Sequence, residues 1–372
     1  YHLHPNDGQT LVFSFLGYQQ QEITYTTDMH RLDVKLEENS TQVKEVVVTG
    51  VLGLRRTSRE MGGGAQVVSN EELTQGNPVN PVTGLSGRVS GLRINVYDSK
   101  VDPDVQIVMR GSRSLRGNNA PLYVVDGVPV PDIRRLNTND ISEITVLKGA
   151  NAAALYGSEG VNGVIVISTK KGERGKGVIT FSNTTGFSTV YMLPPAQTQF
   201  GQGVDGVYNP TQYQSWGPAF DGSLKPFGPV LPDGTQHMVL YAAPDKDVRE
   251  EMFQTGISVQ NNLSLSGGDN LSSYFVSVQD VLINGIIPED ESRRTGLRFN
   301  GSRQFGKLTS AYSINYSLTR NNTTPDGPWV TMYQMPANFP IELMKDWQNP
   351  NSIANPHNFF TDQHRNPYFQ ID

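Results

Sequence analysis

From about residue 177 onward, apolar and polar side chains trade places at every second position over five stretches, the mark of strands with one apolar and one polar face. In the second stretch Ile257, Val259, Leu263 and Leu265 share one face, while Ser258, Gln260, Asn262, Ser264 and Ser266 share the other; Asn261 interrupts the apolar row. In the fifth, Leu308, Tyr312, Ile314, Tyr316 and Leu318 oppose Thr309, Ser313, Asn315, Ser317 and Thr319. The fourth sets Leu297, Phe299 and Phe305 against Arg294, Arg298, Asn300, Ser302 and Gln304. The first (178–189) and third (273–280) are less regular. Each is long enough to cross a bilayer when tilted.

A soluble two-sheet sandwich also alternates, so the connections must separate the two readings. A long stretch (190–255), a short turn (267–270), a medium loop (281–293), a short turn (306–307) and a long tail (320 onward) follow one another. Short turns on one side and longer loops on the other are the habit of outer-membrane barrels. Five strands cannot close a barrel, and an open edge in lipid leaves backbone groups unpaired at several kcal/mol each. The chain is therefore expected to be the N-terminal part of a protein two to three times longer, with any targeting peptide upstream of Tyr1 or removed.

Ahead of these stretches the pattern is more broken. Residues 1–38 read as short strands, Thr10-Leu-Val-Phe-Ser-Phe-Leu-Gly-Tyr18 among them. Lys44-Glu-Val-Val-Val-Thr-Gly50 is a β-branched run between polar and glycine-rich flanks, which read alone is an ordinary edge strand. Over 60–172, Gly62-Gly-Gly64 and Asn77-Pro78 mark loops, and Leu85-Ser-Gly-Arg-Val-Ser-Gly-Leu-Arg-Ile94 predicts a short helix leading into a strand. Gln106-Ile-Val-Met-Arg110 and Gly163-Val-Ile-Val-Ile-Ser168 predict core strands. Gly157 and Gly160 beside Ala152-Ala-Ala154 suggest a phosphate loop, but the lysine and Ser/Thr spacing that such a loop needs is absent, so nucleotide binding is rejected.

The block Pro121-Leu-Tyr-Val-Val-Asp-Gly-Val-Pro-Val130, continued by Asp140-Ile-Ser-Glu-Ile-Thr-Val-Leu-Lys-Gly-Ala-Asn-Ala-Ala-Ala-Leu-Tyr-Gly-Ser-Glu-Gly-Val-Asn-Gly-Val-Ile-Val-Ile-Ser-Thr-Lys-Lys-Gly172, resembles the plug of SusC/RagA-type TonB-dependent outer-membrane transporters. Ile107-Val-Met-Arg-Gly-Ser-Arg-Ser-Leu-Arg-Gly-Asn-Asn119 extends the likeness. The resemblance implies a mixed fold: a partial carboxypeptidase-regulatory-like β-sandwich (1–38), a linker with a TonB box (39–59), an α/β plug (60–172), and the first strands of a large antiparallel transmembrane β-barrel (173–372) of roughly 22 strands. It makes Val46, Val47, Val48, Thr49 and Gly50 the TonB-binding strand, suited to pairing with a partner's sheet edge. Arg110, Gly111, Asp126, Gly127, Lys148, Gly149, Tyr156 and Gly157 become the plug-motif positions.

The same resemblance offers Arg113, Arg116, Asn118 and Trp216 as substrate contacts, although Arg110, Arg113 and Arg116 fit salt bridges to the barrel wall better, because a plug must be held reversibly by polar contacts. Ser215-Trp-Gly-Pro-Ala-Phe-Asp-Gly222 and Asn366-Pro-Tyr-Phe369 look like extracellular loop segments, where aromatics either meet substrate or anchor the loop. The implied function is TonB-dependent import of an oligosaccharide or peptide in the outer membrane of a Gram-negative bacterium, under a SusD-like surface lipoprotein. A siderophore or vitamin receptor without a lid and a non-transporting structural or adhesion component are the rivals.

Composition narrows the chemistry. The net charge of −6 with scattered basic residues argues against nucleic acid, and the absence of cysteine removes disulfides, thiolate metal sites and cysteine nucleophiles. His2 and His4 would share a strand face without a third ligand, so no metal is expected. Asp102 with Asp104 and Glu289-Asp-Glu291 read as solvated turns. With no Gly-x-Ser-x-Gly elbow and no acid/base pair, neither an enzyme nor a cofactor is expected.

Overall fold

A computed structural model of the chain describes residues 8–13, 21–26, 32, 34–35, 47–49, 55–57, 65–112, 114, 119–172, 175–361 and 363–371. Near the start, Thr10–Phe13 pairs antiparallel with Gln21–Thr24. Val47–Thr49 pairs antiparallel with Arg55–Thr57.

The first folded body is built on a five-stranded sheet in the order Ala65–Ser69, Ile141–Leu147, Val164–Thr169, Leu122–Val125, Val128–Val130. One pairing, Val164–Thr169 with Leu122–Val125, is parallel, and helix Ala150–Tyr156 lies between its neighbours in the chain. Local chemistry explains the corners. The hairpin turns on Asp126 and Gly127 at φ 49° and 87°, the left-handed pair that a tight two-residue turn requires and that Asp-Gly supplies at least strain. Gly149 and Gly157, both at φ 63°, bracket the helix. Ser69 and Glu72 form a reciprocal capping box at the start of Asn70–Leu73.

The short helix expected within 85–94 sits earlier, at Pro81–Gly84, where Asn80 caps it and Pro81 needs no intrahelical donor. Gly87 and Gly91, at φ 73° and 72°, turn the following chain out of helical geometry and into strand Leu92–Val96. Leu73, Leu85, Ile133, Ile141, Ile144, Ile165 and Ile167 are fully buried in one cluster. At roughly 1.5–3 kcal/mol for each side chain removed from water, that core is what holds this body together.

The second body is an antiparallel meander, Gly175–Ser188, Gly256–Gly268, Ser272–Asn284, Glu291–Phe305 and Leu308–Asn322, paired in chain order. Its register lines up Phe181, Leu263, Val278, Leu297 and Tyr316 across all five strands, with Ile179, Leu265, Val276, Phe299 and Ile314 in the adjacent outward row. Apart from Val276 and Phe299, which are partly covered, these outward side chains are exposed. The third and fourth strands run beyond the alternation seen in the sequence, because 281–284 continues to pair with 291–294; the medium loop shrinks to 285–290.

At the end of the wall opposite the short turns, the long stretch and the tail are not loose. Hairpin Leu224–Val230/Gln236–Leu240 and the segment after the fifth strand pack around Phe227, Met252, Phe339, Met344 and Phe360. No helix among the described residues is long and apolar enough to cross a membrane, which leaves a strand-built wall untouched as a reading.

Candidate functional site

The inward face of the wall carries Gln260, Asn262, Gln279, Arg294, Arg298 and Asn300, all buried although none is apolar. Period two dictates this. Each stands on the opposite side of its strand from the outward apolar rows, and each meets the first body.

At the centre of this seam Asn137 donates to Asn262 Oδ1 at 2.7 Å and accepts from Gln279 Nε2 at 2.7 Å. Its Oδ1 also takes the backbone N–H of Asn139, so the side chain that shapes the turn before Ile141 is the one that meets the wall. Arg294 donates to the carbonyls of Arg134 and Val79 at 3.2 and 3.0 Å, and Gln260 donates to the carbonyl of Asn77 at 2.8 Å. These partners sit in irregular segments whose carbonyls have no sheet partner, so the wall supplies the missing donors.

Toward the short-turn end, Arg298 stands between two carboxylates, 3.5 Å from Asp140 and 3.8 Å from Asp126. Asp126 is held in place by Thr169, whose N–H and hydroxyl donate to it at 2.9 and 2.6 Å. Asn300 donates to Thr169 Oγ1 and to the Lys170 carbonyl, and accepts from Ser313. Burial pushes the Asp140 carboxyl above its ordinary value, with Arg298 and Lys170 opposing that push. Burial likewise lowers the Lys170 ammonium.

The seam therefore differs in kind from the core behind it. Separating an apolar interface exposes surface at about 25 cal/mol per Å². Separating a hydrogen-bonded one exchanges each bond for one to water, at a net of about 0.5–1.5 kcal/mol apiece. A body attached this way can leave without its own core being disturbed.

A recess of about 630 Å³ opens on the first body, lined in part by Tyr97, Asp104, Gln106, Tyr123, Asp132 and Arg134. Arg134 is bracketed there by Asp132 at 3.0 Å and Asp104 at 3.7 Å. The neighbouring 97–104 loop is tied to the long-loop end of the wall, through Lys100 to Asp326 at 2.9 Å and Asp102 to Asn321 at 2.8 Å.

The residues singled out from the sequence are spread over the molecule. Asp126 alone among the plug-motif positions lies in the seam. Lys148 is buried and donates to Gln66 and Ser90, its ammonium lowered by burial and by the positive charge of Arg110. Arg110 itself sits at φ 58° beside Gly111 at φ 94°, and its guanidinium lies over Gly149, within the first body. Across the described seam the arginines come from the wall and the carboxylates from the plug side. Tyr156 is buried in a second small cluster, and Gly149 and Gly157 serve the helix ends.

Trp216 is 71% exposed on the 200–217 loop, far along the chain from any seam residue. Asn366, by contrast, is fully buried and donates to the carbonyls of Met344 and Ala354, which makes it a loop anchor. Val47, Val48 and Thr49 form the short strand noted above; Val46, Gly50, Arg113, Arg116 and Asn118 lie outside the described residues. Asn137, Asp140, Arg298 and Asn300 were not singled out as site residues, although arginine and asparagine on the inward face of a wall strand were a visible signal.

Comparison with known proteins gives this geometry a context. The model of the TonB-dependent receptor plug domain matches residues 57–164. The chain is 29% identical to the TonB-dependent receptor SusC of Bacteroides thetaiotaomicron over 325 residues, 85% of this chain and 30% of that protein. It is 31% identical to the TonB-dependent receptor P39 of Formosa agariphila over 311 residues, 83% of this chain and 27% of that one. The chain thus spans less than a third of the length of these two relatives. Among solved structures it superposes on the RagAB peptide importer in its open-open state with a TM-score of 0.61 at 23% identity, covering 76% of this chain and 33% of that one.

Proposed function

This chain belongs to the SusC/RagA-type TonB-dependent receptors of the Gram-negative outer membrane, and from that premise we propose that the whole protein imports a large nutrient, an oligosaccharide or a peptide, by moving its plug. The observation that carries the reading is the polar seam around Asn137, Asp140 and Arg298, a joint that water can replace bond for bond while the apolar plug core stays intact.

In this reading substrate docks on the extracellular side of the plug, where the recess beside Tyr97 and Arg134 opens, and a SusD-like surface lipoprotein closes over it. TonB, energised from the inner membrane, takes residues 46–50 as an added strand and pulls. Val47–Thr49 already has one edge on Arg55–Thr57, so TonB joins at the other edge or displaces that pairing. The divisions at residues 38, 59 and 172 belong to the same reading. No bond is made or broken in the cargo.

The test is uptake of fluorescent oligosaccharides and peptides by cells with and without the gene, alongside affinity purification of the full-length protein. Loss of uptake of one cargo class, with a surface lipoprotein recovered in matching abundance, supports the proposal. Unchanged uptake of both classes overturns it.

A further inference from the structure

On the outward face of the wall, Arg293 and Arg320 stand directly opposite each other on the fourth and fifth strands. Directly opposed like charges destabilise a sheet unless something of opposite sign lies between them. Their surroundings supply little. Asp280 reaches Arg293 at 3.3 Å but also accepts from Thr295 at 2.9 Å. Glu291, the next outward residue on the fourth strand, forms no ion pair among the described residues, and Arg320 forms none either.

The position of the pair along the wall matters as much as its charge. Both arginines sit at the long-loop end, just beyond an outward apolar run that ends in Leu297, Tyr316 and Leu318, all exposed. In an outer-membrane wall that level is the boundary between lipid chains and lipid headgroups of the external leaflet.

We propose that Arg293 and Arg320 form a clamp for the phosphate of an anionic lipid headgroup in the outer leaflet. Two guanidiniums presenting parallel N–H donors match phosphate oxygens in both charge and geometry. Asp280 pairs with Arg293 and not with Arg320. The apolar run below receives the acyl chains of the same lipid, which a free anion could not use. The inference rests on the outer-membrane placement of the wall and not on the import reading, so either can fail alone.

The test uses the full-length protein in nanodiscs doped with monophosphoryl lipid A or with the same lipid lacking its phosphate, read by native mass spectrometry for retained lipid. The wild type is expected to keep the phosphorylated lipid about tenfold or more over the other. Arg293→Gln/Arg320→Gln should lose the preference, whereas Arg303→Gln, outward near the short-turn end of the fourth strand, should keep it. Should the double variant fail to assemble, Arg320→Gln alone, which breaks no ion pair among the described residues, is expected to weaken the preference. Equal retention of both lipids by the wild type overturns the proposal. So does displacement of the lipid by millimolar inorganic phosphate, which would make this a free-anion site. A preference unchanged in the variants, or a dimer that they dissociate without change in lipid, would give the face to another occupant.

Discussion

Arg298 of the wall and Asp140 of the plug face each other across the seam, Nε to Oδ2 at 3.5 Å, with side chains only 3% and 4% exposed. A buried pair of this kind adds little net stability when both members are present, since desolvation offsets the attraction. Removing one member is different. Arg298→Met removes the arginine that stands between Asp140 and Asp126 and is expected to destabilise the assembled protein by about 3–5 kcal/mol. Adding Asp140→Asn to that variant should restore part of the loss. Denaturant unfolding of the full-length protein in detergent checks this, and a single variant no weaker than Arg320→Gln would rule the clasp out.

The same pair gives a pH dependence with a definite sign. Burial raises the Asp140 carboxyl above its ordinary 3.8, so the folded protein holds that proton more tightly than the unfolded chain does. The contribution is fully present below about pH 3.8 and is lost as pH rises through the raised value. The difference in unfolding midpoint between wild type and Asp140→Asn, measured from acid to neutral pH, should therefore shift across that window. A difference that stays flat would mean that Asp140 carries no such coupling.

Outward and inward faces of the wall should answer differently to charge. Leu263 and Ile314 point outward and are exposed, so arginine at either is expected to impair insertion by about 2–4 kcal/mol if the site lies near the bilayer midplane. Asn315 is on the inward face of the same strand as Ile314, and arginine there should be tolerated much better. Heat-modifiable migration of the assembled barrel is the readout, and equal sensitivity at Ile314 and Asn315 would reverse the assignment of faces.

Asn366 holds two carbonyls, Met344 and Ala354, in the interior of the cluster formed by the long stretch and the tail. Asn366→Ala leaves both buried and unpaired, at about 1–3 kcal/mol each in the limit of no rearrangement. Hydrogen exchange over 341–366 should quicken while exchange in the plug strands stays unchanged. Uniform exchange across both regions would show that the loop is anchored elsewhere.

Energy coupling is tested at Val47, whose strand pairs with Arg55–Thr57. Val47→Pro removes a backbone donor and disturbs any added strand. The expected variant inserts normally and binds cargo at the surface but does not import it. Import at the wild-type rate, at equal surface abundance, would place the coupling in another segment.

The alternation of Leu263 with Ser264 and of Ile314 with Asn315 was enough, read from the sequence, to set strand periodicity and both faces of the wall, because successive side chains of an extended chain must point to opposite sides. The turn at Asp126-Gly127 is equally local, since few other dipeptides accept two left-handed residues in succession, although in the sequence that pair stood out only as part of the plug-like block. These are local constraints, satisfied within a few residues. The seam is another matter. Asn137 meets Gln279 across 142 positions of chain and Asn300 meets Thr169 across 131, and no periodicity carries information over such separations. The alternation placed Arg298 on the polar face of its strand; only the packing of plug against wall decided that its partners are Asp140 and Asp126, because a buried charge takes whichever opposite charge the fold brings within reach.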